Sequence, residues 1–115
     1  MINFKLISSY DEINDMFSGK IVDKNGYLTS YNLNDGIFIN MDKNNYPSSF
    51  YIYNASRIFN ISKKLLECPD ISIKMECDKL EILFEFLISN KEVYVSKSWN
   101  TFNIPEFSCI METNY

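Results

Sequence analysis

The stretch DKLEILFEFLISN, residues 78–90, decides the fold. Two periods compete within it. Leu80, Leu83, Phe84 and Leu87 recur at helical spacing, while Leu80, Ile82, Phe84, Phe86 and Ile88 alternate as a strand does. Periodicity alone does not separate them. The end signals do: Asp78 with Glu81 three residues on has the form of a capping box, and Asn90 can end a helix. They predict a helix over 79–89, preceded by an alternating strand at 71–76 (ISIKME) and followed by a strand at 92–96 (EVYVS).

Working outward, Phe107 to Glu112 reads as a last strand after Pro105. Toward the N-terminus, Phe50-Tyr51-Ile52-Tyr53 reads as a strand. Asn54 can cap a helix there: Ile58, Phe59, Ile61, Leu65 and Leu66 form a helical stripe from Ala55 to Glu67, closed by Pro69. Residues 42–49 (DKNNYPSS) are a polar loop, where Pro47 stops regular structure. Three strands are expected before it. Residues 20–24 and 27–31 flank Asn25-Gly26, the preferred pair for a two-residue hairpin turn. Asn34-Asp35-Gly36 leads into a third strand, with Ile37, Ile39 and Met41 on one face. Ser9 with Glu12 predicts a short helix over 10–18, ended by Gly19. Ile2 to Ile7 is either a first strand or the lead-in to that helix.

These elements make an α+β domain: residues 1–115 as one unit, a mostly antiparallel sheet of five to eight strands with two or three helices. The chain has 115 residues, enough to bury about two-thirds of its unfolded surface. It therefore needs no disulfide or metal to fold. Cys68, Cys77 and Cys109 are odd in number and irregular in spacing, which is not a disulfide framework. They read as reduced, partly buried thiols, with one Cys pair left open. Three cysteines without a histidine make a poor zinc site. The N-terminus lacks the features of a signal peptide, and no apolar stretch approaches the roughly 20 residues of a membrane span. The expected compartment is the cytoplasm, so the sequons at Asn54 and Asn60 read as chance.

Net charge is −4, and Arg57 is the single arginine. Nucleic-acid affinity comes largely from basic contacts to phosphate, so a nucleic-acid partner is disfavoured and a basic protein partner suits the charge. The chain has no histidine, which removes Ser-His-Asp and Cys-His catalysis. No phosphate-binding glycine loop, dinucleotide fingerprint or EF-hand pattern occurs. Glu81 and Glu85 would share a helix face, as would Asp11, Glu12 and Asp15 near the first helix. Both sets read as solvated faces rather than catalytic pairs. No catalytic residue, metal ligand or cofactor is expected.

Function is then expected at a surface. Tyr is abundant, and it combines apolar area with a polar tip. Tyr27 and Tyr31 share a face if their strand is regular, Tyr51 and Tyr53 lie opposite Phe50 and Ile52, and Tyr94 lies opposite Val93 and Val95. The candidate partner-binding residues are Asp23, Tyr27, Asp35, Asp42, Tyr46, Glu76, Asp78, Tyr94 and Trp99, chosen for expected exposure at turns, strand ends or an outer sheet face. In size, acidity and lack of enzyme motifs the chain resembles immunity proteins of bacterial toxin–immunity systems, notably contact-dependent growth inhibition. That resemblance carries over no residue. It implies binding to a cognate toxin domain, often a nuclease, whose active site would be blocked. A phage- or plasmid-type inhibitor or an assembly subunit that binds a host protein is the alternative, and a small carboxylate-dependent hydrolase a remoter one.

Overall fold

Residues 78–90 form no helix. In the computed structural model, which describes residues 1–24, 26–34 and 36–115, the run Glu81–Ile88 is a strand. It buries Ile82, Phe84, Phe86 and Ile88 and leaves Leu80 exposed. The period of two prevails because the supposed caps are turn residues. Asp78 Oδ1 accepts from the Leu80 and Glu81 amides at 2.8 and 2.7 Å, which closes a turn between strands. Ser89 and Asn90 both hold positive φ, at 50° and 62°, and form the two-residue loop of a tight hairpin. Short polar side chains bond local amides equally well in caps and turns, so the signal is shared.

Among the described residues there are nine strands: β1 (Ile2–Asp11), β2 (Met16–Ile21), β3 (Thr29–Asn34), β4 (Ile37–Met41), β5 (Pro47–Tyr53), β6 (Ile71–Cys77), β7 (Glu81–Ile88), β8 (Lys91–Trp99) and β9 (Phe107–Glu112). Two short helices, α1 (Ala55–Phe59) and α2 (Lys63–Leu66), separate β5 from β6. The strand order is β3-β4-β5-β2-β1-β9-β6-β7-β8. Every junction is antiparallel except β1–β9, which is parallel. The domain is thus mostly sheet, with more strands and less helix than the sequence suggests.

Two Greek keys compose eight of the nine strands, with β1 between them. β6, β7 and β8 follow one another by hairpins, and β9 returns to lie beside β6. β3, β4 and β5 do the same, with β2 lying beside β5. The sheet curls until its inner faces meet around one core. Phe17 packs edge-on to Phe86 with ring centroids 5.0 Å apart, and Phe50 lies 6.3 Å from Phe84. The outer strands β3 and β8 are bridged by side chains: Asn34 Nδ2 donates to Ser96 Oγ at 2.5 Å.

Four expectations nearer the N-terminus are corrected. Residues 10–18 are the end of β1, a turn and the start of β2. Asp11 Oδ1 accepts from the Ile13 and Asn14 amides, so an aspartate turn replaces the supposed Ser9–Glu12 cap. Gly19 lies within β2, opposite Ser8 and Phe50, and does not end a helix. The hairpin across residues 20–31 is absent because β2 lies between β1 and β5, not beside β3; Asn25 itself, like Asp35, lies outside the described residues. Pro47 does not stop regular structure: it opens β5 and is buried.

The predicted helix from Ala55 to Glu67 is broken at Asn60, which adopts φ 54°. Its two pieces cap one end of the barrel. Phe59 stacks against Phe86 at 4.5 Å, and Leu66 is buried. Asp15 ties this cap to the sheet. Its carboxylate accepts from Tyr10 Oη at 2.6 Å and from the Ser56 hydroxyl at 2.6 Å, and its backbone carbonyl accepts from the Ala55 amide. Burial pushes the Asp15 pKa up, but the Ser56 and Tyr10 bonds outweigh it and hold the group ionised below the usual range. The opposite end carries the connection between β2 and β3 and the irregular segment 100–106 between β8 and β9.

Asparagine does much of the turning. Asn45, Asn54, Asn60, Asn90 and Asn103 all take positive φ, a region its short polar side chain tolerates better than most. Gly36 has no such substitute. Its φ is 108°, and an added Cβ would lie 2.9 Å from the Tyr53 carbonyl oxygen, which is backbone and fixed by the sheet. At Gly19 the Cβ would crowd the tip of the Leu6 side chain at 2.9 Å and touch Phe17 at an ordinary 3.6 Å, with no backbone in the way. Gly36→Ala is therefore expected to cost about 2 kcal/mol or more, and Gly19→Ala less. Urea melts of both variants check the order.

Candidate partner-binding face

The outer face of the second Greek key is built by register. Ser108, Glu76, Leu83 and Lys97 pair in turn across β9, β6, β7 and β8. Below this row, toward the barrel end that holds residues 100–106, Glu81 pairs with Trp99. Asp78 in the β6–β7 turn and Glu106 before β9 complete the edge. Glu76, Asp78, Glu81 and Glu106 thus border one shallow depression of about 590 Å³, whose lining includes Lys97. A smaller cleft of about 210 Å³ continues from it between Glu81, Lys97, Ser98 and Trp99.

The charges here are largely uncompensated. Among the described residues the ion pairs are Lys24–Asp42 and Lys74–Glu76, the latter loose at 3.8 Å and half exposed. Asp78 lies below the usual carboxylate range because the Glu81 and Leu80 amides donate to it. Trp99 and Leu80 stand in solvent at 70% and 69% exposure. Among the described residues no three cysteines or carboxylates converge as a metal site.

One buried amide holds the face in shape. Asn100 Nδ2 donates to the Asp78 and Ile104 carbonyls, both at 2.9 Å, and its Oδ1 accepts from the Ile104 amide at 3.0 Å. It pins the returning segment 100–106 to the β6–β7 turn. Glu106 thereby lines the same depression as Asp78. The neighbouring Cys77 thiol is pushed up to about 11, and the Cys109 thiol to about 12, chiefly by burial. All three cysteines are free, so no pair forms.

The candidate residues divide. Glu76, Asp78 and Trp99 come together on this face. Asp23, Tyr27 and Asp42 line a different depression of about 640 Å³ beside the β2–β3 connection. There Tyr27 is exposed but lies outside any strand, so it shares no strand face with Tyr31. Asp42 is not a free surface charge. It pairs with Lys24 at 2.5 Å and accepts from the Asn44 and Tyr46 amides. Burial raises its pKa, but Lys24 and those amides outweigh it. Tyr46 is half-buried, edge-on to Phe4 and Phe107. Tyr94 points inward onto Phe59 and Phe84, while Val95 is exposed. The reason is a bulge: Phe86 pairs with Tyr94 but Leu87 with Glu92, so Val93 is the extra residue. Tyr51 and Tyr53 do lie on the outer face, opposite buried Phe50 and Ile52.

Glu81, Glu106 and Leu80 belong to the face although they are not among the candidates. Glu81 is legible as a charge, but on a helix it would neighbour Glu85. On a strand the two are about 13 Å apart, beyond the roughly 5–9.5 Å of glycosidase carboxylate pairs. Comparisons with family models, curated proteins and solved structures find no match to this chain. No helix among the described residues is long and apolar enough to cross a membrane.

Asn100→Ala would leave the Asp78 and Ile104 carbonyls and the Ile104 amide without their partner. The expected loss is about 2–3 kcal/mol. Asn100→Asp would set a carboxylate against two carbonyls, so its loss should be larger near neutral pH than in mild acid, where the carboxyl is protonated and can donate. Thermal melts at the two pH values measure both.

Proposed function

We propose that this chain is a non-catalytic binding protein that neutralises a cognate toxin domain by covering its active site. The acidic face of β6–β9 is the contact surface. The observation that supports this reading is the grouping of Glu76, Asp78, Glu81 and Glu106 around a depression beside exposed Trp99 and Leu80. An enzyme that acts on phosphate esters carries basic groups at its active site. Such a surface meets these carboxylates with matched charge, which speeds encounter and rejects other acidic proteins. The exposed indole supplies the apolar anchor that charge alone lacks.

A small carboxylate-dependent hydrolase draws on the same depression. Asp78 does not fit the acid's part in such an enzyme. A general acid needs a raised pKa, whereas Asp78 is held low by the amides it accepts from. Hydrolysis of a glycoside by the wild type but not by Glu106→Gln would favour the hydrolase.

Co-expression with the gene directly upstream, which on this reading encodes the toxin, tests the proposal. The expected result is restored growth and a stable complex. Reversal of Glu76, Glu81 and Glu106 to Lys should slow association by about ten-fold or more at low salt, with a smaller effect at high salt. Neither rescue nor complex, or an association rate indifferent to the reversals, contradicts it.

A further inference from the structure

We infer that the cleft between Glu81 and Trp99 receives an arginine side chain of the protein partner. This rests on the acidic face being the binding surface, and it names the group that surface reads. The cleft measures about 210 Å³, the scale of one long side chain. Its two active walls are fixed by register, because Glu81 on β7 and Trp99 on β8 are direct cross-strand partners. One wall is a carboxylate outside any ion pair among the described residues. The other is an indole that the fold leaves 70% exposed.

The chemistry of those walls selects the occupant. An apolar side chain would satisfy the indole but strip water from the carboxylate without replacing its hydrogen bonds. An acidic one would be repelled. A lysine ammonium would pair with the carboxylate but is compact and strongly hydrated. A guanidinium is planar and weakly hydrated, can donate two parallel bonds to Glu81, and presents a face for the indole. Lys97 also lines the cleft and opposes any cation. It confines the bound charge to the Glu81 side, where the fork geometry counts most.

Trp99 is the chain's single tryptophan, so its fluorescence reports this cleft directly. The probes are a short glycine–arginine peptide and its lysine counterpart of equal charge, titrated at low salt. The arginine peptide should change Trp99 emission saturably, with a midpoint about two-fold or more below that of the lysine peptide, because both cations can sit over an indole but only the guanidinium adds a planar fork for Glu81. Glu81→Gln, an exposed position that leaves the fold intact, should remove most of the response. Lys97→Gln should tighten binding. Equal midpoints for the two peptides overturn the arginine inference and leave the acidic-face reading standing. No saturable response to either peptide overturns the inference and counts against that reading as well; rescue by co-expression then decides the reading separately.

Discussion

The parallel pairing of β1 with β9 is the junction on which the structure depends. Ile2 to Lys5 align with Cys109 to Glu112, so the first strand lies beside the last. Among the described strands no other pairing joins β6–β9 to β1–β5 through the backbone. Without it β1 and β9 would each present an unpaired edge, and nine strands would be two small sheets. Two-layer packing then comes from side chains alone: Phe17 against Phe86 and Phe50 against Phe84 fill the space between the halves. Each half lacks the apolar partner the other supplies.

The two ends of the barrel are finished differently, and the difference bears on function. The helical end is tied down by a buried carboxylate, with Asp15 bonded to Tyr10 and Ser56. The other end is crossed by irregular segments that carry most of the candidate residues. There polar groups hold the loops, through Lys24 with Asp42 and through Asn100 with Ile104 and Asp78. Loops positioned by a rigid sheet are the usual place for recognition. The acidic face obeys this logic, since β7 and β8 fix Glu81 and Trp99 while a single buried asparagine fixes the connection that brings Glu106 beside them.

Much of the sheet is legible in the sequence. The apolar residues at every second position, Ile37, Ile39 and Met41, Phe50 and Ile52, Ile71, Ile73 and Met75, and Phe107, Cys109 and Met111, are the ones buried. The β7 segment misleads because Asp78 and Asn90 carry the same signal in a turn as in a cap. Residues 10–18 mislead for a similar reason. The place of β2 beside β5 is a long-range choice that an asparagine–glycine pair cannot encode. Of the site, the charges are visible in the sequence and their grouping is not. The β6–β7 hairpin brings Glu76, Asp78 and Glu81 together, whereas Glu106 joins them only through the pairing of β9 with β6, which are distant in sequence. Tyr94 is turned inward by a bulge, which reverses a side chain without any mark in composition.

If one core joined through β1 and β9 carries the binding face, the halves cannot unfold separately. Native-state hydrogen exchange measures this most directly. The slowest amides of β2 and β5 and those of β6 and β7 should open with the same free energy, equal to that of global unfolding. Different limiting values in the two halves, or a lower-energy opening confined to β1 through β5, would contradict the account.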